Sequence, residues 1–275
     1  MVYLRFFCIL LLILAFIVVG LPLDALAQRL DWSVRPKIPL VFHRILIRIL
    51  QIRVQRRGEI CEHPAILVPN HVSWTDISVI GALAPLCFVA KKDVASWPVF
   101  GVLAKAQGSV FVDRERRSLV HKTNLEMAER LSQGRSVVLF PEGTTGDGNR
   151  LLKFYTSHFA AAREVLAQNA ALDSVKIQPV LITYTHRRGL RMDRLTRAQV
   201  AWYGDTDLVP HIFTLLRLGP IDVTLHFLPP MLYQRGTNRK MLAQAIAQQL
   251  RHENYATLYG RGGESRIHAS HTELK

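Results

Sequence analysis

The chain has 275 residues, 49% of them apolar, which is enough for one α/β domain with a sizeable core and a terminal appendage but tight for two full domains. Its 35 Lys and Arg against 21 Asp and Glu leave a formal charge of +14, which favours an anionic partner: a nucleic acid, a lipid headgroup surface or a phosphorylated ligand. The three cysteines, Cys8, Cys61 and Cys87, are far apart and lack CxxC or metal-type spacing, which argues against a disulfide framework and fits a reducing compartment.

From Phe6 to Leu23 the chain is apolar for about 18 residues, close to the minimum that crosses a ~30 Å hydrocarbon core as a helix. Residues 1–27 are therefore expected to form a transmembrane anchor. A cleaved secretory signal is the alternative, because Arg5 precedes the run and Ala25-Leu26-Ala27 offers the small residues of a cleavage site. Charge placement opposes it: Arg29, Arg35, Lys37, Arg44, Arg48, Arg53, Arg56 and Arg57 follow the run and only Arg5 precedes it. By the positive-inside rule the body of the protein then lies on the cytoplasmic side of the cell membrane.

Residues 28–58 read as a basic, membrane-associated segment. In Ile38–Val54, IPLVFHRILIRILQIRV, Arg44, Arg48 and Arg53 stand among Leu, Ile and Phe at near-helical spacing, the composition of a basic amphipathic helix at an anionic lipid interface. An ordinary helix packed on a core with solvated arginines has the same pattern; the neighbouring apolar run favours the membrane. No nucleic acid is expected, since the basic residues sit beside apolar segments and no zinc-finger spacing, RNA-binding aromatic signature or basic coiled coil is present.

After Gly58 short β-rich runs alternate with helical stretches, which predicts an α/β domain over 59–260 with a mostly parallel central sheet flanked by helices. Strands are expected at Ala65–Pro69, Leu86–Ala90, Ser109–Val112, Ser136–Phe140, Val175–Thr183, Gln199–Trp202 and Ile221–Phe227, each rich in Val, Ile, Leu or Phe. Helices are expected near Thr75–Leu83, Leu119–Gln133, Ser157–Asn169 and Asn238–Tyr259. The polar, Gly-rich residues 261–275 read as a disordered tail.

Three segments carry chemistry. Asn70-His71-Val72-Ser73-Trp74-Thr75-Asp76 follows the strand AILVP, so His71 emerges at a strand end, where α/β sheets bind ligands. A carboxylate five positions on can hold the imidazole in one tautomer while the other ring nitrogen takes a proton from a hydroxyl, general-base geometry without a protein nucleophile. A capping Asp76 beside a hydrogen-bonded loop histidine would look the same in isolation. Gly108-Ser109-Val110-Phe111-Val112-Asp113-Arg114 ends a short strand in a guanidinium that can clamp a phosphate, or that pairs locally with Asp113. Phe140-Pro141-Glu142-Gly143-Thr144-Thr145-Gly146-Asp147 follows another strand. Its glycines admit close approach of a ligand, and Glu142 offers acceptors for a hydroxyl or a basic side chain.

In order and spacing, these blocks together resemble the glycerolipid acyltransferase family that includes the 1-acylglycerol-3-phosphate (lysophosphatidic acid) acyltransferases. The resemblance covers roughly 65–183. It implies His71 as base with Asp76 as its orienting partner, and acceptor binding by Arg114, Glu142, Gly143 and Thr144. A fourth, looser block is Gln178-Pro179-Val180-Leu181. Family members acting on lysophosphatidic acid commonly carry Arg where this chain has Thr145.

The expected reaction moves a fatty acyl chain from acyl-carrier protein or acyl-CoA to the free hydroxyl of a lysolipid. The leading acceptor is 1-acyl-sn-glycerol 3-phosphate, giving phosphatidic acid. Thr145 raises a lyso-ornithine lipid, whose headgroup is zwitterionic, or another lysophospholipid as the alternative. Lys91 and Lys92, after a predicted strand, are candidate contacts for an anionic donor or headgroup, or two solvated lysines. Apart from the thioester donor no cofactor is expected, and no metal, since HExxH, CxxC and clustered acidic ligands are absent. The Walker motif and the GxSxG elbow are missing as well. The rival from another class is a non-catalytic membrane lipid-binding protein with the same fold.

Overall fold

A computed structural model describes residues 1–30, 32, 34–62, 64–97, 100–113, 120–169 and 172–260. Helix α1 (Val2–Ala15) passes through a π-helical turn, Phe16–Gly20, into α2 (Leu21–Arg29). The apolar run is thus continuous helix over 28 residues, about 42 Å at 1.5 Å per residue, long and apolar enough to cross a membrane, with little of it buried.

Helix α3 (Lys37–Leu50) returns antiparallel along it. Three contacts mark the pairing. Arg5 Nε donates to the Ile49 carbonyl at 2.8 Å, the Phe16 and Phe42 rings meet edge to face at 5.1 Å, and Arg35 pairs with Asp24 at 3.3 Å. The basic amphipathic helix expected to reach Val54 stops at Leu50. Gln51 takes a left-handed backbone (φ 57°), and Ile52 and Val54, alternating with Arg53 and Gln55, obey a strand period that overrides the helical one. Strand β1 (Ile52–Arg57) therefore belongs to the sheet.

The remaining elements are β2 (Ala65–Pro69), α4 (Thr75–Gly81), β3 (Cys87–Lys91), α5 (Phe100–Ala106), β4 (Val110–Val112), α6 (Val120–Ser132), β5 (Val137–Val138), α7 (Ala160–Gln168), β6 (Ser174–Arg187), β7 (Leu190–Arg191), α8 (Arg194–Val200), α9 (Leu208–Leu218), β8 (Ile221–Phe227), β9 (Met231–Gln234) and α10 (Arg239–Tyr259). The sheet order is β1-β8-β6-β2-β5-β3-β4, with β7 and β9 pairing β6 off this path. Every pairing along it is parallel except β8 with β6, as the alternation of strands and helices predicts. Residues 199–202 depart from expectation. Asp193 Oδ1 caps α8 through the Thr196 N–H at 2.7 Å, and this start signal wins over the short apolar run that followed it.

The two faces of the sheet bury separate cores, so β2 is buried along its whole length. Leu67, Val138, Val180, Ile182 and Tyr184 face α3, α4 and α9, with Phe16 of the N-terminal helix; Ile66, Val137, Leu139, Ile177 and Leu181 face α6, α7 and α10. On the first face His43 is sandwiched between α3 and α4, its Nδ1 3.2 Å from Ser78 Oγ and its Nε2 3.0 Å from Gln107 Nε2. Gly81 makes this approach possible: a Cβ there would stand 2.6 Å from His43 Cδ2. Burial pushes the His43 imidazole down to about 4.

Candidate active site

Parallel strands β2, β5, β3 and β4 all point their carboxyl ends to one edge, and the motif residues emerge there. Asn70, buried just past β2, docks on β6: its Nδ2 donates to the Ile182 carbonyl at 3.0 Å and its Oδ1 accepts the Ile182 N–H at 2.7 Å. The amide thus continues the strand pairing for one residue and fixes where the chain turns.

The turn brings His71 onto Asp76. His71 Nδ1 lies 2.8 Å from Asp76 Oδ2, which also accepts the N–H groups of Val72 at 2.6 Å and Ser73 at 2.9 Å. Its other oxygen, Oδ1, accepts the Tyr184 hydroxyl at 2.7 Å. Asp76 is fully buried. An ionised carboxylate only accepts, so the proton in the His71 bond resides on Nδ1, and Nε2 is left with its lone pair. The ring stacks on Phe140 at 4.0 Å and 23°, and Phe140 stands 6.5 Å from Phe88 of β3. The imidazole is thereby held from its face as well as from its edge.

Glu142 approaches the same turn from β5. Its Oε2 accepts the His71 N–H at 3.2 Å and its Oε1 accepts the Leu152 N–H at 3.1 Å. With 3% of its surface exposed, desolvation raises its carboxyl to about 7 from the ordinary 4.5. In this loop Glu142 fixes the backbone on either side of the Phe-Pro-Glu-Gly-Thr turn. Gly143 makes that turn with φ 72°, a conformation natural to glycine, and donates to the Phe140 carbonyl at 3.2 Å, while Thr144 is exposed beside it. The Gly146 N–H returns to the His71 carbonyl at 2.9 Å, tying the loop to the His71 turn.

Lys91 and Lys92 do not join this cluster. Lys91 ends β3 and Lys92 follows it, and both line, with Lys105, Asp93, Ser96 and Asp113, a cleft of about 570 Å³. Lys91 pairs with Asp93, and Lys92 reaches Asp113 at 3.4 Å. Arg114, the predicted acceptor clamp, lies outside the described residues. Among the described residues no group of three or more His, Cys, Asp or Glu is placed to hold a metal ion.

Sequence reasoning missed Tyr184 and Lys105. Neither had a local signal: Tyr184 lies one residue beyond the predicted end of its strand, and Lys105 sits in α5, which was not anticipated.

Residues 50–183 match the family model described as Acyltransferase. The chain is 43% identical over 246 residues to the lyso-ornithine lipid O-acyltransferase of Rhizobium meliloti (strain 1021), covering 89% of this chain and 83% of that protein. It is 42% identical over 243 residues to the lyso-ornithine lipid O-acyltransferase of Brucella abortus (strain 2308), covering 88% and 90%. It is 29% identical over 192 residues to the 1-acyl-sn-glycerol-3-phosphate acyltransferase of Neisseria gonorrhoeae, covering 69% and 70%. The crystal structure of the 1-acyl-sn-glycerophosphate acyltransferase PlsC from Thermotoga maritima superposes with a TM-score of 0.59 over 94% of this chain and 100% of that one, at 19% identity, and so shares the fold. With the motif blocks in order at the carboxyl edge of the sheet and relatives of this similarity along most of its length, the chain belongs to the acyltransferase family.

Proposed function

We propose that the protein transfers a fatty acyl chain from a thioester, acyl-carrier protein or acyl-CoA, to the free hydroxyl of a lyso-ornithine lipid, with His71 as general base. The single observation that carries the chemistry is the His71 Nδ1–Asp76 Oδ2 bond of 2.8 Å, which leaves Nε2 to accept the hydroxyl proton. As that proton moves to Nε2, the hydroxyl oxygen bonds to the thioester carbonyl carbon. The C–S bond then breaks and sulfur departs as the thiolate, to which the imidazolium can return the proton. Glu142, Gly143 and Thr144 shape the loop against which the acceptor lies, and Arg114 is its proposed anionic-group contact.

Two observations support this acceptor over 1-acyl-sn-glycerol 3-phosphate. Relatives at 43% and 42% identity carry the lyso-ornithine name, and Thr145 stands where family members acting on lysophosphatidic acid commonly carry Arg. The N-terminal helix supports work at a membrane, and the basic residues that follow it support the cytoplasmic face. Because α1 and α2 lie along α3 from Arg5 to Asp24, the pair acts as one anchoring unit, with Tyr3, Phe7, Leu10, Leu14 and Val18 exposed on one helix and Val41 and Ile45 on the other.

The test is acyl transfer in detergent from labelled acyl-carrier protein and acyl-CoA to both acceptors, with wild type and folded His71→Ala. Transfer to the lyso-ornithine lipid that disappears in the variant is expected. Transfer confined to 1-acyl-sn-glycerol 3-phosphate overturns the acceptor, and transfer that survives in the variant overturns the base.

A further inference from the structure

Asp76 is held unevenly. Oδ2 has three donors, the Val72 and Ser73 N–H groups and His71 Nδ1, whereas Oδ1 accepts the side-chain hydroxyl of Tyr184 at 2.7 Å. Tyr184 stands in β6, fully buried, with its backbone paired to Val223 of β8. Thr75 Oγ1 lies 2.7 Å from the Tyr184 oxygen. Since the tyrosine proton is committed to the carboxylate, the threonine must be the donor, and a directed chain runs Thr75 O–H to Tyr184 O–H to Asp76 Oδ1. Such chains polarise one another, each donor strengthening the next. Burial and the adjacent Asp76 charge both push the Tyr184 phenol well above its ordinary value, so it keeps its proton.

We propose that Tyr184, polarised by Thr75, is a positioning residue that sets how much of the Asp76 charge is presented to His71. The proposal rests on the reading of His71 as base. The Tyr184 bond draws carboxylate charge toward Oδ1 and away from the imidazole. Removing it concentrates that charge on Oδ2, which favours the protonated ring and leaves less free base at a given pH.

Among the described residues, other ionisable groups lie around the pair. Glu142 faces the His71 backbone, with Arg251 of α10 acting on it from behind. Arg197 of α8 donates to the Tyr184 carbonyl at 3.4 Å. His43 of α3 meets α4 at Ser78, and His211 of α9 accepts from Trp74 Nε1 at 3.0 Å. All are present in both the wild type and the variants below, so a displacement between their profiles reports the change at Asp76.

The experiment is the pH dependence of kcat/KM for wild type, Tyr184→Phe, Thr75→Val and Thr75→Ser in detergent, with melting temperatures recorded alongside. In Tyr184→Phe the acid limb should move to higher pH by about one unit, in Thr75→Val by less in the same direction, and Thr75→Ser should return it toward wild type. A folded Tyr184→Phe whose activity drops equally at all pH, with the acid limb in place, shows a tyrosine that only fills space and overturns the proposal. If Tyr184→Phe does not fold, Thr75→Val decides by the same displacement or its absence. Activity that survives His71→Ala overturns the base reading, and this proposal with it, by a separate observation.

Discussion

The His71 turn and the lysine cleft lie at the same edge of one sheet and are built by opposite rules. In the turn, Asp76 is 0% and Glu142 3% exposed, and each carboxylate oxygen is met by a donor in a fixed direction. In the cleft, the Lys91 and Lys92 side chains are 49% and 59% exposed, and each pairs with a neighbouring aspartate in contact with water. Buried hydrogen bonds at low dielectric are geometrically exacting and costly to leave unmade, whereas exposed ion pairs are soft, screened and individually weak. The turn is thus held in one geometry, while the cleft tolerates several.

That contrast fixes the expected size of each perturbation. The largest belongs to Asp76→Asn, which removes the charge that orients and supports His71: kcat should fall about 10² to 10⁴ fold at saturating substrate, and a fall under tenfold would place the turn with the cleft in importance. Next is Glu142. Because its carboxyl is raised from 4.5 to about 7, the folded protein holds that proton more tightly than the unfolded chain, and the associated stability is present below pH 4.5 and lost as pH rises through about 7. Unfolding of Glu142→Gln, which cannot titrate, should shift relative to wild type in the variant's favour by about 3 kcal/mol between pH 4.5 and 8. A difference independent of pH would contradict the assigned burial.

Asn70→Ala should lower stability by about 2 kcal/mol, since it strands the Ile182 N–H and carbonyl in the interior, as chemical denaturation would reveal. The smallest effect is expected in the cleft. Lys91→Ala with Lys92→Ala should raise KM by no more than about fivefold with kcat unchanged, and the difference should fade in high salt. A large loss of kcat there would break the division between the two regions.

Much of this division was legible in the chain. AILVP reads as a strand, and the blocks at 70–76 and 140–144 follow strands at matching ends, so their convergence followed from the parallel sheet. The chain did not reveal what arrives from elsewhere. Nothing near Tyr184 marks it as a partner of Asp76, because that contact depends on β6 lying beside β2, 108 residues apart in sequence at the bond itself. The expected helix through Val54 failed where two periodicities overlap: the arginines suit both a helix and a strand, and parallel pairing with β8 decided for the strand. At 199–202 a capped helix start upstream outweighed a brief apolar run. The role given to Arg114 still comes from the resemblance alone.

In the proposed reaction the His71 imidazole, held by Asp76, takes the acceptor proton. The most direct measurement is a single-turnover transfer with His71→Ala, pre-loaded with acyl thioester and mixed with saturating lyso-ornithine lipid, with the melting temperature confirming a folded variant. The chemical step should slow by about 10² to 10⁴ fold while acceptor affinity and fold are retained; a chemical step at the wild-type rate in the folded variant would contradict the account.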